Sequence, residues 1–497
     1  MLNWPLPNRG AAVAQVLLVS AIAWGALAFG AVYSWAYWPL GVMCAICGVT
    51  ALIVAAAENV DGTSRALNLA FLAVAVAISL QLLPLPARIV NTLSPAAPAL
   101  MARLNPAIAA GLQPAHALSV WPRDTWTALS LYASFVLMCA GLTSLFSLTG
   151  ARRFVECLTG FGAVLAIIGF VQKSLSNRYL YGIWELEPGR MPFGPFVNRN
   201  HFAGWMVMAL PLTLGLLVAG IDQGMRGIKR GWHHRVLWFA SPEANRMILA
   251  AAAAVLMALS LMLTMSRSGI MAFGLSMLIT GWFVSRSVHS RPRRIVAALC
   301  LLLLAGIVVV WSGPDVIASR FAAADWGEFN NRKGAWLDAW RVARAFPLAG
   351  TGLNTYWAAE LFYQQHDLSY FFAQAHNDYL QLAAEGGVVV IVPVVVCLLV
   401  FVRDVHRSLH RSRGETSWWL RAGAVASLIA IACQETVDFS LQMPGNAALF
   451  AAVCAVALHA PADNGTDPVA SNGASSSRSL RIVSSTRSGS EDLVERF

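Results

Sequence analysis

Residues 247–284 read MILAAAAAVLMALSLMLTMSRSGIMAFGLSMLITGWFV. The run is apolar throughout except at Ser266-Arg267-Ser268-Gly269. As one helix its ~38 residues would reach about 57 Å, nearly twice the ~30 Å hydrocarbon core of a bilayer. Basic stretches flank it, Arg226 to Arg246 before and Arg286 to Arg294 after. The run therefore predicts a hairpin of two membrane-spanning helices, turning on the external side at Arg267. A charge at that depth costs roughly a few kcal/mol unless it is solvated or paired. Arg267 is thus either a turn residue reaching to the surface or an anion contact at the membrane boundary.

The rest of the chain follows the same pattern. Of its 497 residues 57% are hydrophobic and only 12% charged, with a mean hydropathy of +0.60. A water-soluble domain cannot bury that much apolar surface, and long unbroken runs argue against a membrane β-barrel. Together with the hairpin, runs at 11–32, 37–57, 66–83, 126–149, 154–171, 201–220, 295–312, 386–402, 421–440 and 445–460 predict an all-α polytopic membrane protein of about 12 spans. With the N-terminus inside, seventeen Lys and Arg fall in the short inner loops, Arg421 among them. The long loops at 84–125, 172–200 and 313–385 then lie outside. The net charge of +10 reads as this topological bias and not as a nucleic-acid surface. Residues 461–497 are rich in Ser, Gly, Asn and Asp and predict a disordered cytoplasmic tail. Cys44 and Cys47 form a C-x-x-C inside a span, where packing is the expected role.

Three external segments carry residues that packing alone does not require. Asn198-Arg199-Asn200-His201 precedes a span, where Asn198 or Asn200 can cap the helix. Arg199 and His201 then stand beside free N–H groups at a positive dipole end, which suits an anion such as a diphosphate. In the large loop, Asn331 is placed to cap an amphipathic helix running to Phe346, with Trp336, Leu337, Trp340 and Ala343 on one face and Pro347 ending it. Gly350-Thr351-Gly352 follows as a tight turn, since it trails no strand. The aromatics from Tyr356 to Phe372 suit either interfacial packing or stacking on sugars. Last comes Ala375-His376-Asn377-Asp378-Tyr379-Leu380, with His376 and Tyr379 on one helical face beside the membrane. Histidine is the natural proton acceptor near neutral pH. Glu435 and Asp438, at the outer end of a later span, call for a cationic partner, an arginine first of all.

Taken together, Ser266-Arg267-Ser268-Gly269, Phe346-Pro347-Leu348-Ala349-Gly350-Thr351-Gly352-Leu353-Asn354, Ala375 to Leu380, and Val437-Asp438-Phe439 followed by Met443-Pro444 resemble the O-antigen ligase and polymerase superfamily of bacterial inner-membrane glycosyltransferases. The resemblance covers roughly residues 190–455. It implies a GT-C-like helical fold, an undecaprenyl-diphosphate-linked glycan as donor, and transfer on the periplasmic face without cofactor or metal. It further implies that Arg199 and Arg267 hold the diphosphate and His376 assists the acceptor hydroxyl. Asn198, His201, Asn377, Tyr379 and Asp438 are the expected substrate-binding residues. The acceptor stays open between another lipid-linked repeat, lipid A–core and a protein hydroxyl. The rival class, a transporter or lipid flippase, would place ionisable groups deep in several spans; here they gather at one face. Scattered external acids such as Glu185, Glu187 and Asp367 form no D-x-D-like metal site.

Overall fold

Each of the twelve apolar runs forms a helix. In chain order they are α1 (Arg9–Leu27), α2 (Ser34–Ala57), α3 (Arg65–Leu80), α4 (Pro122–Thr149), α5 (Arg152–Leu175), α6 (Arg199–Gly224), α7 (Pro242–Leu263), α8 (Arg267–Ser287) and α9 (Arg291–Ser312). Two helices of the large loop follow, α10 (Trp326–Ala345) and α11 (Tyr356–Tyr363), and then α12 (Asp378–Arg411), α13 (Thr416–Gln434) and α14 (Pro444–Leu458). The computed structural model describes residues 9–113, 115–175, 179–186, 191–224, 242–288, 290–312, 326–411 and 416–460. The basic stretch from Arg226 to Arg235, Arg413, Glu187, residues 313–325 of the large loop and the tail expected at 461–497 lie outside these segments.

The protein is an all-α polytopic membrane protein. Among the described residues eight helices are long and apolar enough to cross a bilayer (α1, α2, α4 to α8 and α12), against about 12 expected spans; α3 and α14 are shorter apolar helices. The shortening has local causes. Gln81 stops α3 by turning its side chain to Ala349 and Glu385 across the bundle. Helix α14, from Pro444 to Leu458, keeps close to the expected run of 445–460. The first span ends at Leu27, five residues before the expected Val32, since Phe29, Gly30 and Ala31 are all left-handed. Arg421, expected in an inner loop, lies within α13 and is fully buried, with Nε donating to the His459 carbonyl at 2.7 Å.

Helix α6 runs through the middle of the bundle and is buried along its whole apolar length. It can sit there because α13 approaches very closely: a Cβ on Gly215 would lie 2.5 Å from the Trp419 carbonyl oxygen. Without a hydrophobic force between helices in lipid, such backbone-to-backbone contact is what packing offers. The two ends of the bundle differ in chemistry. At one end lie Arg152 with Glu156, and Arg293 with Asp222 at 2.7 Å. At the other lie the starts of α6, α8, α12 and α14, and with them every candidate site residue.

On that second side the loops form a layer with its own apolar core. Val90, Leu100 and Met101 from one loop meet Ala339, Val342, Phe346 and Tyr356 from the other. Helix α10 turns Ala339 and Ala343 into this core, buries Ala335 as well, and leaves Leu337 and Trp340 exposed. The expected single face of Trp336, Leu337, Trp340 and Ala343 is thus divided, because alanines permit the closer approach. The helix also begins at Trp326, so Asn331 lies within it and does not begin it.

Glu385 keys the layer to the bundle. Its carboxylate accepts the backbone N–H groups of Asn354 and Tyr356 at 2.8 and 2.9 Å, capping the start of α11. The Gly350-Thr351-Gly352 turn folds around the same residue: Gly352 N–H donates to the Glu385 carbonyl at 3.0 Å. Gly350 has φ +66° and a Cβ there would collide with the Glu385 carbonyl. This G-x-G is therefore a backbone clamp. Gly350→Ala should lower stability by about 2 kcal/mol or more, since left-handed strain alone costs roughly 1–3 kcal/mol and the clash adds to it. Gly111 has φ +71° with nothing near its Cβ position, so Gly111→Ala isolates the strain. Thermal melts of the purified variants compare the two; equal Tm values would mean that the clamp contributes nothing.

Candidate active site

Two helix N-termini meet on the layered side. Asn198 caps α6, its Oδ1 accepting the Asn200 N–H at 2.9 Å. Ser266 caps α8, its Oγ accepting the Gly269 N–H at 3.3 Å. Met265, at φ +53°, reverses the chain between α7 and α8 within three residues. The predicted hairpin is there, but its turn is Thr264 to Ser266, and Arg267 is the first residue of the second helix. Arg199 holds the same position in α6. The helices touch near these ends, for a Cβ on Gly269 would lie 2.7 Å from that of Ala203. An arginine thus opens each of two helices at its positive dipole end.

The turn from Glu435 to Ser440 closes over both helix starts. Gln434 Nε2 and Ser440 Oγ each donate to the Asn200 carbonyl at 3.3 Å. Asn446 Nδ2 donates to the His201 carbonyl at 3.0 Å. Ser268 Oγ donates to Asp438 Oδ2 at 3.2 Å, and the Phe439 N–H to Oδ1 at 3.0 Å. The Phe439 ring stands between two imidazoles, 4.9 Å from His201 and 4.7 Å from His376, edge-on to each. The turn therefore brings α6, α8 and the His376 loop into one site.

His376 is left-handed, φ +52°, a conformation that the contacts around it must hold. Its carbonyl accepts the Trp336 indole N–H at 3.1 Å. On one side of it the Ala375 N–H donates to Gln381 Oε1 at 2.9 Å. On the other, Asn377 caps α12 through Leu380 N–H at 3.0 Å and donates to the Thr436 carbonyl at 2.8 Å. The ring keeps part of its surface accessible while Nδ1 is buried without a hydrogen-bond partner. Burial, and the Arg332 charge beside it, push its pKa down to about 4. At neutral pH the ring is an uncharged proton acceptor.

The acidic residues sort themselves unexpectedly. Arg332 donates from Nη1 to the Val437 carbonyl at 2.9 Å, so an arginine does stand beside Asp438. Burial raises the Asp438 pKa, while the Arg332 charge, the Phe439 N–H and Ser268 pull it down. Glu435 gets no such partner. It is 2% exposed, and its neighbour is the Asp378 carboxyl. Asp378 is held by Gln442 Nε2 at 2.6 Å, and its N–H donates to the Glu435 carbonyl at 3.1 Å. Burial first, and the Asp378 charge second, push Glu435 well above the usual carboxylate range. A group with a raised folded pKa makes stability fall as pH climbs from the unfolded value, near 4.5, toward the folded one. Glu435→Gln mimics the protonated form, so its Tm should decline less than that of the wild type between pH 5 and pH 9. Parallel declines would place the proton elsewhere.

Asn198, Arg199, His201, Arg267, His376, Asn377 and Asp438 are all gathered around this turn. Asn198 and Asn377 serve as helix caps, and Asp438 is fully buried against Ser268. Tyr379 is exposed at the edge, its hydroxyl donating to the Ala432 carbonyl at 2.9 Å. The aromatic row divides: Tyr356 is buried in the outer layer, Phe372 packs on His376 at 5.9 Å, and Tyr370 and Phe371 are exposed. Sequence reading passed over Arg332. Its signal was the i, i+4 spacing to Trp336, which puts both on one helical face.

Residues 252–395 match the family model described as O-antigen ligase, which supports assignment of the chain to the O-antigen ligase and polymerase family and to its type of glycan transfer. The matched segment takes in Arg267, Arg332 and His376 and leaves Arg199 and the turn at 435–440 outside it. No curated protein matches the chain.

Proposed function

We propose, for a chain that carries an O-antigen ligase segment, that it transfers or polymerises glycan from undecaprenyl diphosphate onto a saccharide acceptor at the periplasmic face of the bacterial inner membrane. The observation that carries this reading is the meeting of two arginine-headed helix starts with His376 around one turn. Arg199 and Arg267 hold the donor diphosphate, where guanidinium forks and dipole ends neutralise the charge that develops on the leaving group. His376 takes the acceptor hydroxyl proton as the oxygen attacks the anomeric carbon. The bond from that carbon to the diphosphate breaks, and its electron pair leaves with the lipid. A single displacement inverts the anomeric centre; a product with the donor's configuration would contradict this step. The basic loops on the opposite face favour the periplasmic placement.

The test uses purified protein with glycan-loaded undecaprenyl diphosphate, with and without lipid A–core, and a gel of the products. A ladder formed without added acceptor means a polymerase. A single shifted band that needs lipid A–core means a ligase. No product in either lane, with glycan assembly lost in cells carrying His376→Ala, points to a protein acceptor. Unchanged assembly in those cells overturns the reading.

A further inference from the structure

We propose that Arg332 is a positioning residue of this site, holding the acidic turn against the histidine loop and supplying the fixed positive charge between them. The inference rests on His376 acting as the base. Helix α10 touches both halves of the site, and with residues one turn apart. Arg332 Nη1 binds the Val437 carbonyl of the acidic turn at 2.9 Å. Trp336 Nε1 binds the His376 carbonyl at 3.1 Å. The loop and the turn also meet directly, through Asn377 Nδ2 to the Thr436 carbonyl at 2.8 Å and the Asp378 N–H to the Glu435 carbonyl at 3.1 Å. The helix is itself anchored further along, where Asp338 accepts the backbone N–H groups of Gln365 and His366 at 3.1 Å and pairs with Arg341. Its first turns are therefore a fixed strut against which the loop and the turn are set.

The charge matters as much as the bonds. Around His376 stand Asp378 from its own segment, Glu435 and Asp438 from the turn, Arg332 from α10, and His201 beyond Phe439, with Arg199 and Arg267 heading α6 and α8. Any of these carboxyls that carries charge would favour an imidazolium, which cannot accept a proton. Burial opposes that, and Arg332 opposes it too, while the same charge draws Asp438 toward the carboxylate. One guanidinium thus acts on both groups, against a proton on His376 and against the burial that raises Asp438. A lysine keeps the charge; a glutamine keeps an N–H for Val437 and loses the charge.

The experiment compares wild type, Arg332→Gln and Arg332→Lys in two readouts. The first is the His376 titration, followed by NMR of protein labelled with 15N-histidine, with His376→Asn identifying the resonance. The second is the acidic limb of the transfer rate against pH. In Arg332→Gln both midpoints should rise by about one pH unit, as expected when a neighbouring like charge is removed. In Arg332→Lys both should stay near wild type. A raised His376 midpoint in a protein with no transfer activity keeps the role of Arg332 and refutes the transfer reading. Unmoved midpoints, where His376→Ala abolishes transfer, refute the role of Arg332 and keep the reading. A rise of about one pH unit in Arg332→Lys also overturns the inference, whether or not Arg332→Gln folds, since charge would then not be the agent.

Discussion

His376→Ala should slow glycan transfer by roughly 10²–10⁴-fold while leaving the protein at its normal level in the membrane. The size follows from the loss of general-base help alone, since the donor site at α6 and α8 is untouched. The fold should survive because the residue holds its place through backbone atoms: its own carbonyl binds Trp336, and the neighbouring Ala375 N–H binds Gln381. The substitution even removes a buried Nδ1 that has no partner. Alanine keeps the left-handed φ less readily than histidine, so a Tm loss of a few degrees accompanies the variant without explaining the rate. The pH profile gives a second reading of the same group. With its pKa pushed down to about 4 by burial and Arg332, His376 stays a neutral acceptor well below pH 6.5, and the acidic limb of the wild-type rate should fall near pH 4. A limb near pH 6.5 would mean that the ring is solvated during catalysis. A His376→Ala protein with wild-type turnover would remove the base from the mechanism.

Much of this was legible before any coordinates, and the parts that were not have a common cause. Apolar runs between basic loops located each helix, because the bilayer forces length and charge to agree. Arg267 and His376 stood out because each is a polar residue at a membrane boundary. A helix start was readable at Asn198, where capping chemistry is local. Nothing local pairs Glu435 with Asp378. They sit on different helices, and the expectation of an arginine for every buried acid gave Asp438 its partner and left Glu435 without one. The same limit hid the clamp. Gly350-Thr351-Gly352 read as a turn by itself, yet Thr351 N–H donates to the Ala384 carbonyl and Gly352 N–H to that of Glu385, both at 3.0 Å. Face assignment on α10 failed for a third reason: hydrophobic size favoured Leu337 and Trp340, whereas close packing chose the alanines.

Replacing Arg267 should lower the transfer rate about as severely, by roughly 10²–10³-fold, the loss found when one donor to a developing anion is removed. Lysine should recover little of it. Its ammonium keeps the charge but lacks the fork that grips two phosphate oxygens at once, and Arg267 heads its helix with no slack in the chain. The split between constants carries the argument. If the guanidinium acts on charge that grows as the sugar leaves, kcat falls and KM for the donor moves less; if it only tethers the lipid, KM alone rises. Arg199→Ala and the double variant complete the cycle. Two arginines on one diphosphate are coupled, so the double loss should be smaller than the product of the single ones. Strict multiplication would put them on separate groups, one of them away from the leaving group. Single variants that all turn over at wild-type rates would leave the paired helix starts as capping alone. Folding should not confuse the reading, since the caps at both helices come from Asn198 and Ser266 and stay intact in every variant.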